Sequence, residues 1–269
     1  MVQTKMRYLS VPILGVFASS LFFLPISAED KKPEEKKPEP PKIAILLPLG
    51  VETGSPQKLT VRGQNLTNSP TVKFIGLANP PELKITESGE AKKIEGFDAN
   101  HVGDQRLELE FTLPAETPAG TNVALVVTTP VGESKSFPIL VAPPGQIVSE
   151  LEPNNGFRDA VAQKPGRTIR GALEAATDVD VFRYGLKAGQ MLRAEVLAER
   201  LGATLDASLT LYDDKGRILK TNDDGPGLGR DSLLEFKVPA DGDYLLAISG
   251  VTEKGGPTSV YLLTVTLAP

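Results

Sequence analysis

Apolar and polar side chains alternate with a period of two through residues 43–141, which is the pattern of β-strands with one buried face. Residues 107–113 show it most clearly, because leucine or phenylalanine stands at every second position with glutamate or threonine between. Residues 123–127 form a continuous apolar run, as expected for a strand buried on both faces. Glycine and proline turns separate these stretches. The pattern predicts an antiparallel, immunoglobulin-like β-sandwich over residues 43–142.

A second region of alternation follows a break at residues 142–145, where the sequence reads APPG. Apolar side chains recur at every second position in residues 182–186, 192–196, 234–238 and 244–248. The tyrosines of this region alternate with core positions, and most are predicted to be packing residues; the alternative is that an exposed subset stacks on sugar or peptide. Only residues 156–163 predict a helical turn, with an asparagine cap. The chain is therefore predicted to be all-β, with a second antiparallel, jelly-roll-like β-sandwich over residues 149–269.

The start of the chain has the features of an export signal. Two basic residues precede an apolar run at residues 8–24, and the small residue Ala28 comes before an abruptly charged segment. This order predicts a signal peptide over residues 1–28. The alternative is an uncleaved membrane anchor, but the run is shorter than the ~20 residues of a spanning helix. Residues 29–42 contain only charged residues and proline, which predicts a disordered, partly extended tether.

The amino-acid composition excludes several kinds of site and partner. The 269-residue chain has no cysteine and one histidine, His101, which excludes disulfides, thiol nucleophiles, thiolate zinc sites and multi-histidine metal sites. It carries 34 acidic against 29 basic side chains, and an acidic exported protein is poorly suited to nucleic acid or anionic membranes. We therefore expect no nucleic-acid partner and no membrane insertion after signal cleavage. The fold must be held by its core alone, or by its core and a metal ion.

Turn chemistry in the first predicted sandwich carries a family resemblance. Residues 59–66, LTVRGQNL, read as a strand that runs into a G-x-N-L turn. Residues 118–120, PAG, and residues 129–134, TPVGES, each precede a strand. On these motifs residues 43–142 resemble an IPT/TIG-type immunoglobulin-like domain. The resemblance implies a spacer or interaction module without catalysis of its own.

The second predicted sandwich contains a series of short motifs, which occur in the same order as in another protein family. They are EPNN at 152–155, IRG at 169–171, DVDVFRY at 178–184, KAGQ at 187–190, LDASLTL at 205–211, DKG at 214–216, NDD at 222–224, DSLLEF at 231–236, PADGDY at 239–244 and YLLTV at 261–265. On these motifs residues 149–269 are similar to the bacterial pre-peptidase C-terminal domain family. The resemblance implies a jelly-roll-like accessory module of secreted bacterial proteins, often attached to peptidases. Some relatives bind a substrate or surface, with calcium as a structural ion.

Acidic residues near the start of this sandwich predict a metal site. Residues two apart in an extended chain point the same way, so Glu150 with Glu152, and Asp178 with Asp180, can each present two carboxylates to one side. If the chain folds back between these pairs, four carboxylates converge, and their mutual repulsion calls for a cation. Calcium takes six to eight oxygen ligands of this kind.

The family resemblance extends this set. The positions that are ligands in calcium-binding relatives correspond here to Glu150, Glu152, Asn154, Asn155, Asp178 and Asp180. Relatives often have aspartate where this chain has Asn155, which leaves one negative charge fewer. The alternative is that the asparagines make an Asx turn and that the aspartates are turn residues at a strand entrance.

We interpret the sequence as a non-enzymatic exported bacterial protein. It would recognise an extracellular or envelope macromolecule, a protein or a polysaccharide, and would be periplasmic, attached to the cell surface or secreted. One alternative is a purely structural envelope scaffold without a ligand site. The other is a carboxylate-based hydrolase, for which the sequence offers no catalytic constellation.

Overall fold

The computed structural model describes residues 37–252 and 254–268. The predicted signal peptide, residues 1–28, lies outside the described residues, and so do residues 29–36 of the predicted tether. Pro41 is buried, and the first strand begins at Lys42, the last residue of the predicted tether. Among the helices of the described part of the chain, none has the length and hydropathy needed to cross a membrane.

The first pair of sheets uses residues 42–142. One sheet has the strand order β1-β3-β6-β5, and the other has the order β2-β9-β7-β4 with β8 paired to β7. The strands are β1 Lys42–Leu47, β2 Gly50–Glu52, β3 Pro56–Gln64, β4 Thr71–Ile75, β5 Lys84–Glu90, β6 Gln105–Thr112, β7 Gly120–Thr129, β8 Gly132–Glu133 and β9 Phe137–Ala142. Side chains from both sheets meet in one apolar core, in which Phe74 and Phe111 pack edge to face at 4.9 Å.

The second pair of sheets uses residues 147–268. Its sheets have the orders β10-β12-β19-β14-β17 and β11-β13-β18-β15-β16. The strands are β10 Ile147–Ser149, β11 Val161–Ala162, β12 Thr168–Ala172, β13 Val179–Leu186, β14 Met191–Leu197, β15 Ala207–Tyr212, β16 Ile218–Asn222, β17 Leu233–Lys237, β18 Gly242–Gly250 and β19 Val260–Ala268. As the alternation predicts, Phe182 and Tyr184 on β13 are buried in the same core as Leu246 and Ile248 on the neighbouring strand β18.

The all-β prediction is confirmed, with 50% of the described residues in strands and 3% in helix. Most neighbouring strands are antiparallel as predicted, but β2, β10 and β11 pair in parallel with β9, β12 and β13. Each of these edge strands has only two or three residues and is reached from another sheet. Only a hairpin connection forces antiparallel pairing, and none of the three is entered through one.

The two pairs of sheets pack against each other. Ile45 and Leu49 are fully or almost fully buried and belong to the same apolar cluster as Leu262 on β19. A hydrogen bond from Arg170 Nη2 to the Gly50 carbonyl, at 2.8 Å, joins the same surfaces. Residues 38–269 consequently form one compact unit, and the division into domains at 43–142 and 149–269 remains a prediction.

A 3-10 helix, Glu199–Leu201, also brings the second pair of sheets against the first. Gly202 follows it with φ at 81°, and a side chain there would collide with the Ala44 carbonyl oxygen of β1. The buried carboxylate of Asp231 holds this helix, since it accepts from the helix's first amide at 2.7 Å and from Arg200 Nε at 2.6 Å. Because residue 202 has no side chain, the 3-10 helix can approach β1 this closely.

Two short helical features bear on the sequence prediction. The structure has a four-residue α-helix, α1 Ala99–Val102, which no apolar stripe predicts; it is capped by Asp98. Residues 156–163 hold only a single turn, closed by the Asp159 amide donating to the Gly156 carbonyl at 3.1 Å, before β11 begins. Pairing of β11 with β13 overrides any local helical tendency at this point.

Candidate metal centre

Three of the predicted ligands come together at one end of the second pair of sheets. Glu150 directly follows β10, and Asp180 is the second residue of β13. Oxygen atoms of Glu150, Glu152 and Asp180 all lie within 4.8 Å of one another. The Ala172 amide, at the end of β12, donates to Glu150 Oε1 at 2.6 Å and fixes this carboxylate. The predicted folding back of the chain therefore brings three carboxylates into one group.

The side chain of Asn154 completes this group, and it is fully buried. In one orientation its amide nitrogen donates to Asp180 Oδ1 at 3.0 Å and to Glu152 Oε1 at 3.1 Å. In the opposite orientation the amide oxygen faces those two carboxylates, and the nitrogen makes only a 3.4 Å contact with Glu150 Oε2. The first orientation suits a metal-free site, and the second turns one more oxygen toward a cation.

Tyr261 closes the inner side of the group. Its hydroxyl lies 2.6 Å from Asp180 Oδ2 and 2.8 Å from Glu150 Oε2. A phenol has one proton, so it can donate to only one of these oxygens at a time. The hydroxyl fits because residue 171 is glycine: a β-carbon there would overlap both Tyr261 and Glu150. Sequence reasoning took Tyr261 for a packing residue and missed this role.

Burial makes the metal-free group hard to ionise fully. Desolvation, with the neighbouring Glu150 and Asp178 charges, raises the pKa of Asp180 from 3.8 to about 9, although the Tyr261 hydroxyl acts in the other direction. Burial also raises the pKa of Glu150. The same desolvation, together with the two carboxylates, holds the pKa of the Tyr261 phenol well above its ordinary value. At neutral pH Asp180 therefore keeps its proton when no cation is present.

Asn155 and Asp178, the other two predicted ligands, lie beside the group and bond to each other. Asn155 Nδ2 donates to Asp178 Oδ1 at 2.8 Å. Asp178 also accepts from the Glu174 amide at 2.7 Å and from the Val179 amide at 3.0 Å. These contacts match the Asx-turn and strand-entrance alternative. Asp178 directly precedes β13 and is not among the three carboxylates whose oxygens lie within 4.8 Å of one another.

Replacing Asn155 by aspartate, Asn155→Asp, is expected to destabilise the metal-free protein by about 1–2 kcal/mol. The change removes the donor to Asp178 and sets two carboxylates at hydrogen-bonding distance. Urea unfolding at neutral pH in chelator measures the loss. Asn155→Ala removes the donor without adding charge and should cost less. Equal losses in the two variants would contradict the electrostatic explanation.

Comparison with known proteins supports the family resemblance in part. The family model described as Bacterial pre-peptidase C-terminal domain matches residues 178–250. A probable subtilase-type serine protease of Deinococcus radiodurans is 38% identical over 105 residues, which are 38% of this chain and 14% of the protease. The chain thus covers about 14% of that relative's length, and the match lies in its pre-peptidase C-terminal part. The IPT/TIG resemblance of residues 43–142 stays a prediction.

Two solved structures are distantly similar. The pre-peptidase C-terminal domain of a collagenase from Bacillus anthracis is 18% identical and covers 40% of this chain and 94% of its own, with a TM-score of 0.33. PliG from Aeromonas hydrophila, a periplasmic lysozyme inhibitor of g-type lysozyme, is 16% identical and covers 46% of this chain and 98% of its own, with a TM-score of 0.31.

Proposed function

We propose that this protein is an exported, non-catalytic binding or accessory protein that holds an extracellular or envelope macromolecule through its β-sandwiches. The observation that carries the proposal is the family match at residues 178–250, because that resemblance implies an accessory module of secreted proteins. The peptidase activity of the relative is not transferred, since the similarity lies in its accessory part.

Export is proposed from the predicted signal peptide, residues 1–28, and from the secreted proteins in which the family resemblance places this module. The destination would be the periplasm, the cell surface or the medium. In this proposal residues 43–142 act as an immunoglobulin-like spacer. The insertion of Ile45 and Leu49 into the apolar cluster of the second pair of sheets supports a rigid spacer.

We also propose that the group formed by Glu150, Glu152, Asn154 and Asp180 holds a calcium ion. The donor set fits, because these side chains offer oxygen atoms and calcium prefers carboxylate and amide oxygens. When bound, the ion would supply positive charge that offsets the repulsion of the buried carboxylates. Backbone carbonyls and water would complete its six to eight ligands.

The residues of this group lie on two separate parts of the fold, which gives the proposed ion a structural role. Glu150 is tied to β12 through the Ala172 amide, and Asp180 belongs to β13 of the facing sheet. Glu152 and Asn154 lie on the segment that crosses from β10 to β11. Holding all four side chains together therefore fixes this crossing segment against both sheets.

The hydrolase alternative finds little support in the same geometry. Asp180 is fully buried, and both it and Glu150 are engaged by the Tyr261 hydroxyl. A glycosidase pair must instead face the substrate from either side of the scissile bond.

Sedimentation of the full mature chain with insoluble peptidoglycan, insoluble polysaccharide and fibrous protein tests the binding role. We expect one of these materials to retain the protein in calcium-containing buffer, with retention saturating as the protein concentration rises. Heat-denatured protein is the control for trapping. Failure of all three materials to retain the protein, with or without calcium, would contradict the binding role and favour the scaffold alternative.

A further inference from the structure

Asn155 is followed by glycine, and it is the only asparagine of the chain in that context. The backbone nitrogen of a residue can attack the side-chain carbonyl carbon of a preceding asparagine, because the covalent structure holds the two groups close together. A side chain on the attacking residue hinders this approach, so glycine leaves it most open. The Asn155–Gly156 pair is therefore the place where the chain is most open to attack on one of its own asparagines.

The segment around Gly156 leaves its backbone amide free to react. Residues 150–160 lie between β10 and β11 and contain no strand or helix, and Asn155 is exposed. Among the described residues, the structure gives the Gly156 N–H no hydrogen-bond acceptor. An amide outside the strand ladders exchanges its proton with solvent without any unfolding, and the attack requires that this proton leaves.

Neither packing nor backbone conformation requires glycine at residue 156. The φ angle of Gly156 lies outside the left-handed region. Apart from the two flanking residues, the nearest neighbour of a β-carbon built there would be Asp159 Oδ2, at an ordinary distance of 3.8 Å. Alanine should therefore fit at this position, so Gly156→Ala is a variant that hinders the attack and leaves the fold intact.

Hydrogen bonds hold both ends of the Asn155 side-chain amide. Its nitrogen donates to Asp178 Oδ1 at 2.8 Å. Its oxygen accepts at 3.2 Å from the Asn154 backbone N–H, which also donates to Glu152 Oε2 at 2.9 Å. When a nucleophile adds to the side-chain carbonyl carbon, negative charge develops on this oxygen, and an N–H directed at it stabilises that charge. The Asn154 amide therefore favours the addition.

We propose that Asn155 is a self-modification site, at which the folded protein converts a side-chain amide into a carboxylate. The Gly156 nitrogen gives up its proton to solvent and forms a bond to Asn155 Cγ. The bond from Cγ to Nδ2 breaks, and the side-chain nitrogen takes a proton from water and leaves as ammonia. Water then opens the resulting succinimide at one of its two carbonyl carbons, which gives aspartate or isoaspartate. One water molecule is consumed and one ammonia is released, without oxidant or reductant.

The modification would add a negative charge beside the acidic group. The new carboxylate at residue 155 would stand next to Asp178, which now accepts a hydrogen bond from Asn155. The converted protein should therefore be less stable in chelator, as expected above for Asn155→Asp. Because the ammonia escapes, converted protein accumulates with time. The inference requires neither the proposed binding function nor calcium.

Peptide mass mapping of the full mature chain, incubated in the folded state at neutral pH in chelator, tests the proposal. Conversion replaces NH₂ by OH, and fragment spectra locate this mass change at residue 155. We expect Gly156→Ala to convert at least about tenfold more slowly than the wild type. Asn68, which precedes serine and is also exposed, is the internal control in the same digest and should convert more slowly than Asn155.

Two outcomes of the mapping would overturn the proposal. One is that Asn155 converts in urea and keeps its amide in the folded protein, because the fold then blocks the attack. The other is that Gly156→Ala, with the urea midpoint of the wild type, converts as fast as the wild type.

Ion exchange separates the converted protein, and its urea midpoint in chelator tests the added charge. We expect this midpoint to lie below that of the unmodified chain, in the direction of Asn155→Asp. If Asn155→Asp lowers the midpoint and the converted protein does not, the proposed charge at residue 155 is wrong.

Discussion

Asp180→Asn is expected to stabilise the metal-free protein and, at the same time, to abolish its response to calcium. Asp180 is fully buried, and its pKa is raised from 3.8 to about 9 by desolvation and by neighbouring carboxylates. At pH 7 the folded protein must keep a proton that the unfolded chain releases. Asparagine needs no such proton, so the variant should gain on the order of 2–4 kcal/mol in chelator.

The pH dependence of the wild-type protein follows from the same shift. Between about pH 4 and pH 9 the folded state holds the Asp180 proton and the unfolded state does not, so the folded state binds more protons. The free energy of unfolding of the metal-free protein should therefore fall as pH rises through this window. The raised pKa of Glu150 acts in the same direction. In Asp180→Asn this decline should be distinctly shallower.

Urea unfolding at pH 7, with calcium or with chelator, measures both parts of the prediction. Calcium at a hundred times its dissociation constant should stabilise the wild type by about 2.7 kcal/mol, and Asp180→Asn by less than about 0.5 kcal/mol. Asp223→Asn, an exposed aspartate outside the acidic group, serves as the control and should keep the full response. If Asp180→Asn responds to calcium as strongly as the wild type, the metal proposal is wrong. If Asp180→Asn is less stable than the wild type in chelator, burial of the Asp180 carboxyl does not destabilise the metal-free protein.

Local pattern was sufficient to predict most of the fold and part of the candidate site. A period of two determines which face of a strand is buried, and it correctly placed Phe182 and Tyr184 in the core. The same rule grouped Glu150 with Glu152, which the structure brings together. It also grouped Asp178 with Asp180; Asp178 precedes β13, and its carboxylate accepts the Glu174 and Val179 amides.

What the sequence could not predict depends on contacts between distant residues. Tyr261 reaches Glu150 across 111 positions, and nothing near either residue marks the pairing. Alternation indicated only that Tyr261 points inward. A cleft lined by both Lys42 and Lys254 is similarly non-local, since these residues come from opposite ends of the described chain. Such constellations require the order of strands in each sheet, which periodicity does not determine.

Gly171→Ala should destabilise the protein by about 1–3 kcal/mol, and it should also reduce the stabilisation by calcium. A β-carbon at this position would overlap the Tyr261 ring and hydroxyl and the Glu150 carboxylate. The φ angle of Gly171 lies outside the left-handed region, so the cost comes from lost space and not from backbone strain. To avoid the overlap, Tyr261 and Glu150 must move, and this movement disrupts the geometry of the acidic group. Urea unfolding with calcium or chelator gives both quantities.

Gly185→Ala separates this effect from the general cost of changing a strand glycine. Gly185 lies in β13, and a β-carbon there would stand at an ordinary 3.6 Å from Asp243 Oδ1, so this variant should stay within about 0.5 kcal/mol of the wild type. Tyr261→Phe combined with Gly171→Ala removes the hydroxyl that takes part in the overlap. The double variant should therefore lose less stability than the two single losses combined. Strict additivity, or a loss in Gly185→Ala equal to that in Gly171→Ala, would show that the space beside Gly171 does not determine the geometry of the acidic group.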